Sequence, residues 1–288
     1  MGLLLVFVAA PRFRVITDNN AVERANACMA PAPAVPETSI ADGHFVFQRM
    51  AERPLRIAAT ADLHYAKHSR GIMHEVFAEI SDDADVLLLC GDVTDYGLAE
   101  EAEELVSDIR TAVRIPIVAV LGNHDFESGQ PELVCKILDD AGVNVLNGEA
   151  IEIAGVGFAG ICGFGGGFGR RMLNAWGEPL IKQFVQESIS HAVRLEQALV
   201  KLQTAKRIAV LHYSPIRATL EGEDPEIYAF LGSSRLEEPI NRFKVNAVFH
   251  GHAHNGLLEG KTSTGISVYN VSAPALRKTG KAYRIVEL

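Results

Sequence analysis

Leu55-Arg56-Ile57-Ala58-Ala59, followed almost at once by Asp62-Leu63-His64, is the stretch on which the reading of this chain turns. A short run of strand composition ends in a loop that carries a carboxylate and an imidazole two positions apart. In extended chain, residues two apart share a face. Asp62 and His64 can therefore reach the same ion.

The same event recurs downstream. Val86-Leu87-Leu88-Leu89-Cys90 reads as a buried strand and leads into Gly91-Asp92. Residues 115–121 lead into Gly122-Asn123-His124-Asp125. Residues 207–211 end at His212, and residues 247–249 end at His250-Gly251-His252-Ala253-His254. Between these runs lie helical stretches at 71–80, at 100–110 (Leu105, Val106 and Ile109 on one side), at 131–141 with Gly142 as a stop, and at 188–202. Shorter strands are expected at 143–146, 150–153, 157–161 and 265–271. The run 282–288 is expected to close a sheet. Strands alternating with helices, then strand-rich stretches, predict an α/β fold of two stacked sheets with helices outside. Active groups in such folds sit in loops at strand ends, which is where these motifs fall.

Composition narrows the class. With 288 residues, 48% of them hydrophobic and 22% charged, the chain is an ordinary globular protein able to bury a sizeable core. The formal charge of -9 argues against broad nucleic-acid binding. It does not argue against an anionic substrate, because bound cations reverse the local field. Cys28, Cys90, Cys135 and Cys162 show no metal or redox spacing, so a reducing, cytoplasmic setting is expected.

The N-terminal region reads differently. The apolar stretch from Leu3 is too short to span a bilayer. Its positive charges, Arg12 and Arg14, follow it, where an export signal places them before. Residues 30–36 are a Pro-rich linker. Residues 1–49 are therefore expected to be an extension, flexible or the product of an over-extended reading frame, with a true export signal as the competing reading. The catalytic domain is expected over 50–288.

The polar loops suit a two-metal site. Asp62 and Asp92 would remove two of the four positive charges of two divalent cations, and neutral His and Asn ligands none. The site would then stay positive toward phosphate. Imidazole, carboxylate and amide ligands without thiolate suit Mn, Fe, Zn or Co better than Ca. Neighbours one apart diverge, so Asn123 can point at a metal while His124 points at substrate. His250 is expected to pack or to support a ligand from behind, His191 to lie on a helix surface, and Trp176 to pack in the core, with stacking on a base or lining the cleft as the alternative. Gly163-Phe164-Gly165-Gly166-Gly167-Phe168-Gly169-Arg170-Arg171 lacks the Lys-Ser/Thr of a phosphate loop. It reads as a mobile loop whose Arg170 and Arg171 can meet substrate phosphate. Residues 162–187 and 217–235 are the candidates for substrate specificity.

The ordered set Asp62-x-His64, Gly91-Asp92-x-x-Asp95, Gly122-Asn123-His124-Asp125, His212 and Gly251-His252-x-His254 resembles the calcineurin-like metallophosphoesterase superfamily. The resemblance implies a four-layer α/β/β/α sandwich. It implies Asp62, His64 and His254 on one metal and Asn123, His212 and His252 on the other, with Asp92 bridging. His124 would act as the acid, its orientation set by the side chain of Asp95, and Asp125 would be structural. The implied activity is hydrolysis of a phosphoester, a phosphodiester first, by in-line attack of a metal-bridging hydroxide. The partner is then a phosphorylated small molecule, with no stable nucleic-acid partner and no membrane span. Monoesters and pyrophosphates stay open, as does a non-catalytic scaffold of the same fold.

Overall fold

Alternation of side chains along the apolar runs decides the layers of this molecule. The computed structural model describes residues 53–288 and the strand β1 (Arg14–Ile16). In chain order there follow β2 (Arg56–Thr60), α1 (His74–Asp83), β3 (Val86–Cys90), α2 (Ala99–Ala112), β4 (Ile117–Val120), α3 (Pro131–Asp139) and β5 (Val143–Val145). Next come β6 (Glu149–Ile153), β7 (Val156–Ile161), α4 (Pro179–Lys201), β8 (Lys206–Leu211), α5 (Tyr228–Leu231) and α6 (Ser234–Arg242). The chain closes with β9 (Ala247–His250), β10 (Glu259–Lys261), β11 (Ser267–Asn270), α7 (Ala273–Arg277) and β12 (Arg284–Glu287).

The strands form two sheets, β12-β2-β3-β4-β5 and β1-β6-β7-β8-β9-β11-β10. In the smaller sheet β2 to β5 are parallel, with Ala59 beside Leu88 and Leu88 beside Val118, and β12 closes one edge antiparallel to β2. In the larger sheet β7, β8, β9 and β11 are parallel. Strand β1 pairs with β6 at the opposite edge from β10. Three residues of the expected N-terminal extension thus lie in this sheet. The rest of it, with its linker, falls outside the described residues.

Each central strand is covered on both faces, which explains its continuous apolar reading. Ile57, Ala59, Val86, Leu88, Val118 and Val120 face Phe158, Ile208, Val210 and Phe249 between the sheets. The alternate residues Ala58, Leu87, Leu89 and Ala119 pack on Phe77 and Ile80 of α1, Leu105 and Ile109 of α2 and Leu138 of α3. Across the larger sheet, Ala159, Ile161, Ala209 and Leu211 pack on Leu195, Ala198 and Leu199 of α4 and Leu236 and Ile240 of α6. Helices, sheet, sheet, helices: this is the expected α/β/β/α sandwich. Burying each large side chain here stabilises the fold by about 1.5–3 kcal/mol.

The sequence predicts no element at α5, α6, α7 or β10, and it starts α4 late. Helix α4 begins at Pro179 rather than 188, and its first turn leaves Leu180 77% exposed, so no core-facing period marks that turn. Helix α6 carries Pro239 inside it, a residue that argues against a helix in sequence.

Candidate metal centre

Because the strands of both sheets that feed the polar loops are parallel, their carboxyl ends collect the motifs at one edge of the sandwich. Neighbouring loops are joined through the backbone. Asp62 N–H donates to Gly91 O at 2.9 Å, His64 N–H to Asp92 O at 3.1 Å, and Gly251 N–H to His212 O at 3.2 Å. The two sheets are tied together here as well. His212 Nδ1–H donates to Cys90 O at 2.9 Å, and His252 N–H to Asp62 Oδ2 at 3.0 Å.

The turns are sharp. Asp62, His64, Asp92 and His252 all hold positive φ, at 57°, 47°, 48° and 68°. Such conformations cost of order 1–3 kcal/mol each and persist only where surroundings impose them. Glycine enables the close approach. A Cβ on Gly122 would stand 2.1 Å from Asp92 Oδ1, and one on Gly91 2.4 Å from His212 Nδ1.

Three groups of ligand atoms result among the described residues, Asp62/His64/His254, Asp92/His212/His252 and, sharing His64 with the first, His64/Asp95/His124, each with its atoms within 4.8 Å of one another. Asn123 Oδ1 joins the second group, 3.0 Å from His212 Nε2, while Asp92 Oδ2 lies 3.3 Å from the same nitrogen. In the first group His254 Nε2 is 3.0 Å from Asp62 Oδ1. A backbone carbonyl can only accept, so the proton on His212 Nδ1 is fixed and Nε2 is turned to the carboxylate. The Phe230 carbonyl, 3.3 Å from His252 Nε2, likewise leaves Nδ1 of that ring with the lone pair.

Electrostatics follow from burial and neighbours. Burial works to depress His212, but Asp92 and then Asp62 override it and carry it up to about 9. Burial works to raise Asp92, and the facing His212 overrides this and holds the carboxyl below its usual range. Asp62 is also lowered, against its burial, by the hydrogen bond from His254. Burial, followed by the charge of His212, pushes His252 down to about 3. Before any cation binds, a proton on His212 thus offsets the carboxylates, and metal must displace it.

The residues fit a divalent cation. Both ring nitrogens of His64 are buried without a hydrogen-bond partner, between Asp62 and His254. Burial lowers His64, which favours its neutral, ligating form. The donors are carboxylate, imidazole and amide oxygen, a set suited to transition-metal dications.

His124 stands beside this centre, its ring centroid 4.5 Å from that of His64. Its Nδ1 lies 2.7 Å from the backbone carbonyl of Asp95, which leaves Nε2 free. The carbonyl of Asp95 orients His124, and its carboxylate Oδ1 lies 3.5 Å from His64 Nδ1. A backbone contact leaves no mark in sequence, so no signal could have found it. Asp125 is structural. Fully buried, it accepts from Thr94 N–H at 2.8 Å, Thr94 Oγ1 at 2.5 Å and Gly122 N–H at 2.8 Å, joining the loops after β3 and β4. Burial, with Asp92 nearby, raises its carboxyl to about 6.

A sequence model described as calcineurin-like phosphoesterase matches residues 55–256. The chain belongs to this family. Among solved structures, phosphopantetheinyl hydrolase from Mycobacterium tuberculosis is similar over 82% of this chain and 96% of its own, at 15% identity and a TM-score of 0.59. TT1561 of Thermus thermophilus is similar over 81% of this chain and 99% of its own, at 15% identity and a TM-score of 0.52. At these identities the likeness is one of fold. A search of curated proteins finds no match.

In this calcineurin-like phosphoesterase the two expected specificity segments meet as one wall. Gly166 N–H donates to Ala229 O at 2.7 Å, Gly167 N–H to Gly232 O at 2.9 Å, and Ser234 N–H to Gly167 O at 3.1 Å. The wall reaches the centre at Phe230. Arg170 and Arg171 stand in a recess elsewhere on this wall, and none of the hydrogen bonds or ion pairs among the metal-ligand candidates involves them. Trp176 is 68% exposed, not packed in the core. His191 is the reverse, buried against Phe164 rather than on a surface. His250 is buried as expected, with Nε2 2.9 Å from Thr219 Oγ1. Cys90, Cys135 and Cys162 are free. No helix among the described residues is long and apolar enough to cross a membrane.

Proposed function

We propose that the protein hydrolyses a phosphodiester of a small molecule, using two divalent cations held by Asp62/His64/His254 and Asn123/His212/His252, with Asp92 between them. The observation that carries this reading is the pair of ligand groups side by side, one containing the His64 ring, whose buried nitrogens make no hydrogen bond, with a separately oriented His124 next to it. Bound there, such cations polarise phosphoryl oxygens and lower the pKa of water toward neutrality.

The chain's own residues do the rest. Asp92 stays ionised through its contacts with His212 and the His124 amide, so it holds charge at the centre of the site. His124, its Nδ1 hydrogen bonded to the Asp95 carbonyl, presents Nε2 as the proton donor to the leaving oxygen. Free thiols support a reducing, cytoplasmic setting. The acidic balance supports a small-molecule substrate over nucleic acid.

Hydrolysis of bis(p-nitrophenyl) phosphate against p-nitrophenyl phosphate, with and without Mn, tests this. Turnover that needs metal and favours the diester supports the reading. A preference for the monoester moves it to the phosphomonoesterases. Failure to bind metal overturns it in favour of a scaffold. A phosphopantetheinyl ester belongs in the substrate panel because a structural neighbour bears that name.

A further inference from the structure

On the wall formed by the two expected specificity segments lies a recess of about 430 Å³, lined by Arg170, Arg171, Arg217, Lys261, Phe168 and Glu237 among others. We infer that this recess is a second anion site, distinct from the metal centre, that takes a multiply charged oxyanion of the phosphoryl class.

The cations converge from distant parts of the chain. Arg170 and Arg171 lie on the 3-10 turn Gly169–Arg171, pinned where Gly169 N–H donates to Ser234 Oγ at 3.1 Å. Arg217 follows β8, and its guanidinium lies over the Tyr228 ring at 5.5 Å from the centroid. Lys261 ends β10. All four are exposed, and among the described residues none is paired with a carboxylate.

The chain has 36 acidic against 27 basic residues, and Arg53, Arg56, Arg70, Arg114, Arg242 and Arg284 all end on carboxylates. Other arginines outside these ion pairs, such as Arg194, Arg207 and Arg235, bond to backbone carbonyls, whereas the four cations of the recess share one concavity. The one acid of the recess, Glu237, is engaged elsewhere: its Oε1 accepts from Ser263 N–H at 2.6 Å. Three arginines and a lysine lining one concavity leave it net positive, and an anion held there would offset their mutual repulsion. Guanidinium forks match phosphoryl oxygens in geometry and charge.

The recess also touches the reaction centre through one apolar layer. Phe168 and Tyr228 pack on Leu220, Leu231 and Ala253, and Ala253 lies between His252 and His254. Two sources fit the chemistry, a remote phosphate of the substrate or a free phosphate ion.

Calorimetric titration with inorganic pyrophosphate, on full-length protein stripped of metal with chelator, tests the site without relying on the hydrolysis proposed above. Saturable binding is expected. It should weaken by about tenfold or more in Arg217→Gln/Lys261→Gln, the loss expected for charge-assisted bonds, and persist in Asp92→Asn. Binding that is absent, or unchanged in the double variant, overturns the inference. Loss of Mn-dependent diester hydrolysis in wild type would sink the proposed function and leave this result standing.

A kinetic arm separates the sources. A KM raised in the double variant for a dinucleotide that carries a terminal 5'-phosphate, but not for the same dinucleotide without it, assigns the recess to a remote substrate phosphate. A pyrophosphate effect on diester hydrolysis that the double variant lacks assigns it to a free ion. A double variant identical to wild type in both assays overturns the inference.

Discussion

Strand β3 carries a carboxylate at each end, and the two are held in opposite ways. Asp85, just before the strand, accepts from Arg56 N–H at 2.9 Å and lies 2.5 and 3.3 Å from the guanidiniums of Arg53 and Arg56. Asp92, just after it, is almost fully buried, sits at a φ of 48° and faces an imidazole instead of a guanidinium. One end has permanent cations and ordinary backbone. The other has strained backbone and a partner that can lose its proton. A buried carboxylate whose only charged partner is a titratable imidazole, with one backbone N–H beside it, is a weak contributor to stability. Its retention at the carboxyl edge, with three other positive-φ residues, marks the edge where stability is given up for chemistry.

Asp92→Asn should break that contrast most severely. Metal-dependent hydrolysis is expected to fall to background. Wild type should gain about 4 kcal/mol of stability from metal at a thousandfold excess over Kd, a gain the variant largely lacks. Thermal melting with chelator and with Mn reads this out. A variant stabilised by Mn as much as wild type would mean that Asp92 is not a ligand.

His124→Ala comes next, with a loss of about 10²–10⁴-fold, the range of general acid–base catalysis. The loss should be largest for poor leaving groups, since p-nitrophenolate needs little protonation and an alkoxide much. Equal losses for both would remove the acid role. Gly122→Ala should cost about 10²-fold, the effect of a misplacement near 1 Å. Its Cβ would collide with Asp92 and move that side chain without changing any ligand. Activity within a few-fold of wild type would show that the site tolerates displacement that its close packing does not suggest.

The same contrast explains what the sequence discloses. Apolar runs ending in Asp, His or Asn are visible because a strand buried on both faces must be apolar and a metal ligand must be one of few residue types. As ligand candidates Asp62, His64, Asp92, Asn123, His212, His252 and His254 stand out for that reason, and the structure brings their side chains into two adjoining groups. Contacts through main-chain atoms do not. The carbonyls of Asp95, Cys90 and Phe230, which orient His124, His212 and His252, belong to positions where residue type hardly matters. The excursions were the least legible part. Trp176 and Leu180 are apolar yet exposed, and His191 is polar yet buried, so the burial expected from residue type fails where loops form a wall instead of a core. Arg217 and Lys261 reach the recess of Arg170 and Arg171 only through tertiary folding.

The smallest effect belongs to the opposite end of β3. Burial alone would raise the Asp85 carboxyl, but the Arg56 N–H and the two guanidiniums more than offset it and hold it below the usual carboxylate range. A depressed folded value means that the unfolded chain binds the proton first. The stabilisation is therefore present above the unfolded value of about 3.9 and is lost as pH falls through the lower folded one. Asp85→Asn should lower stability by about 1 kcal/mol near pH 6, the scale of a partly exposed ion pair with one backbone hydrogen bond. The gap between variant and wild type should close as pH drops below about 4. Urea denaturation at pH 6 and at the lowest pH where the protein stays folded checks it. Metal-dependent turnover should be unchanged, because Asp85 lies at the amino end of β3 and the proposed metal ligands lie beyond its carboxyl end. A loss of turnover in Asp85→Asn as large as in Gly122→Ala would mean that the two ends of the strand are coupled and that their separation of stability from chemistry is wrong.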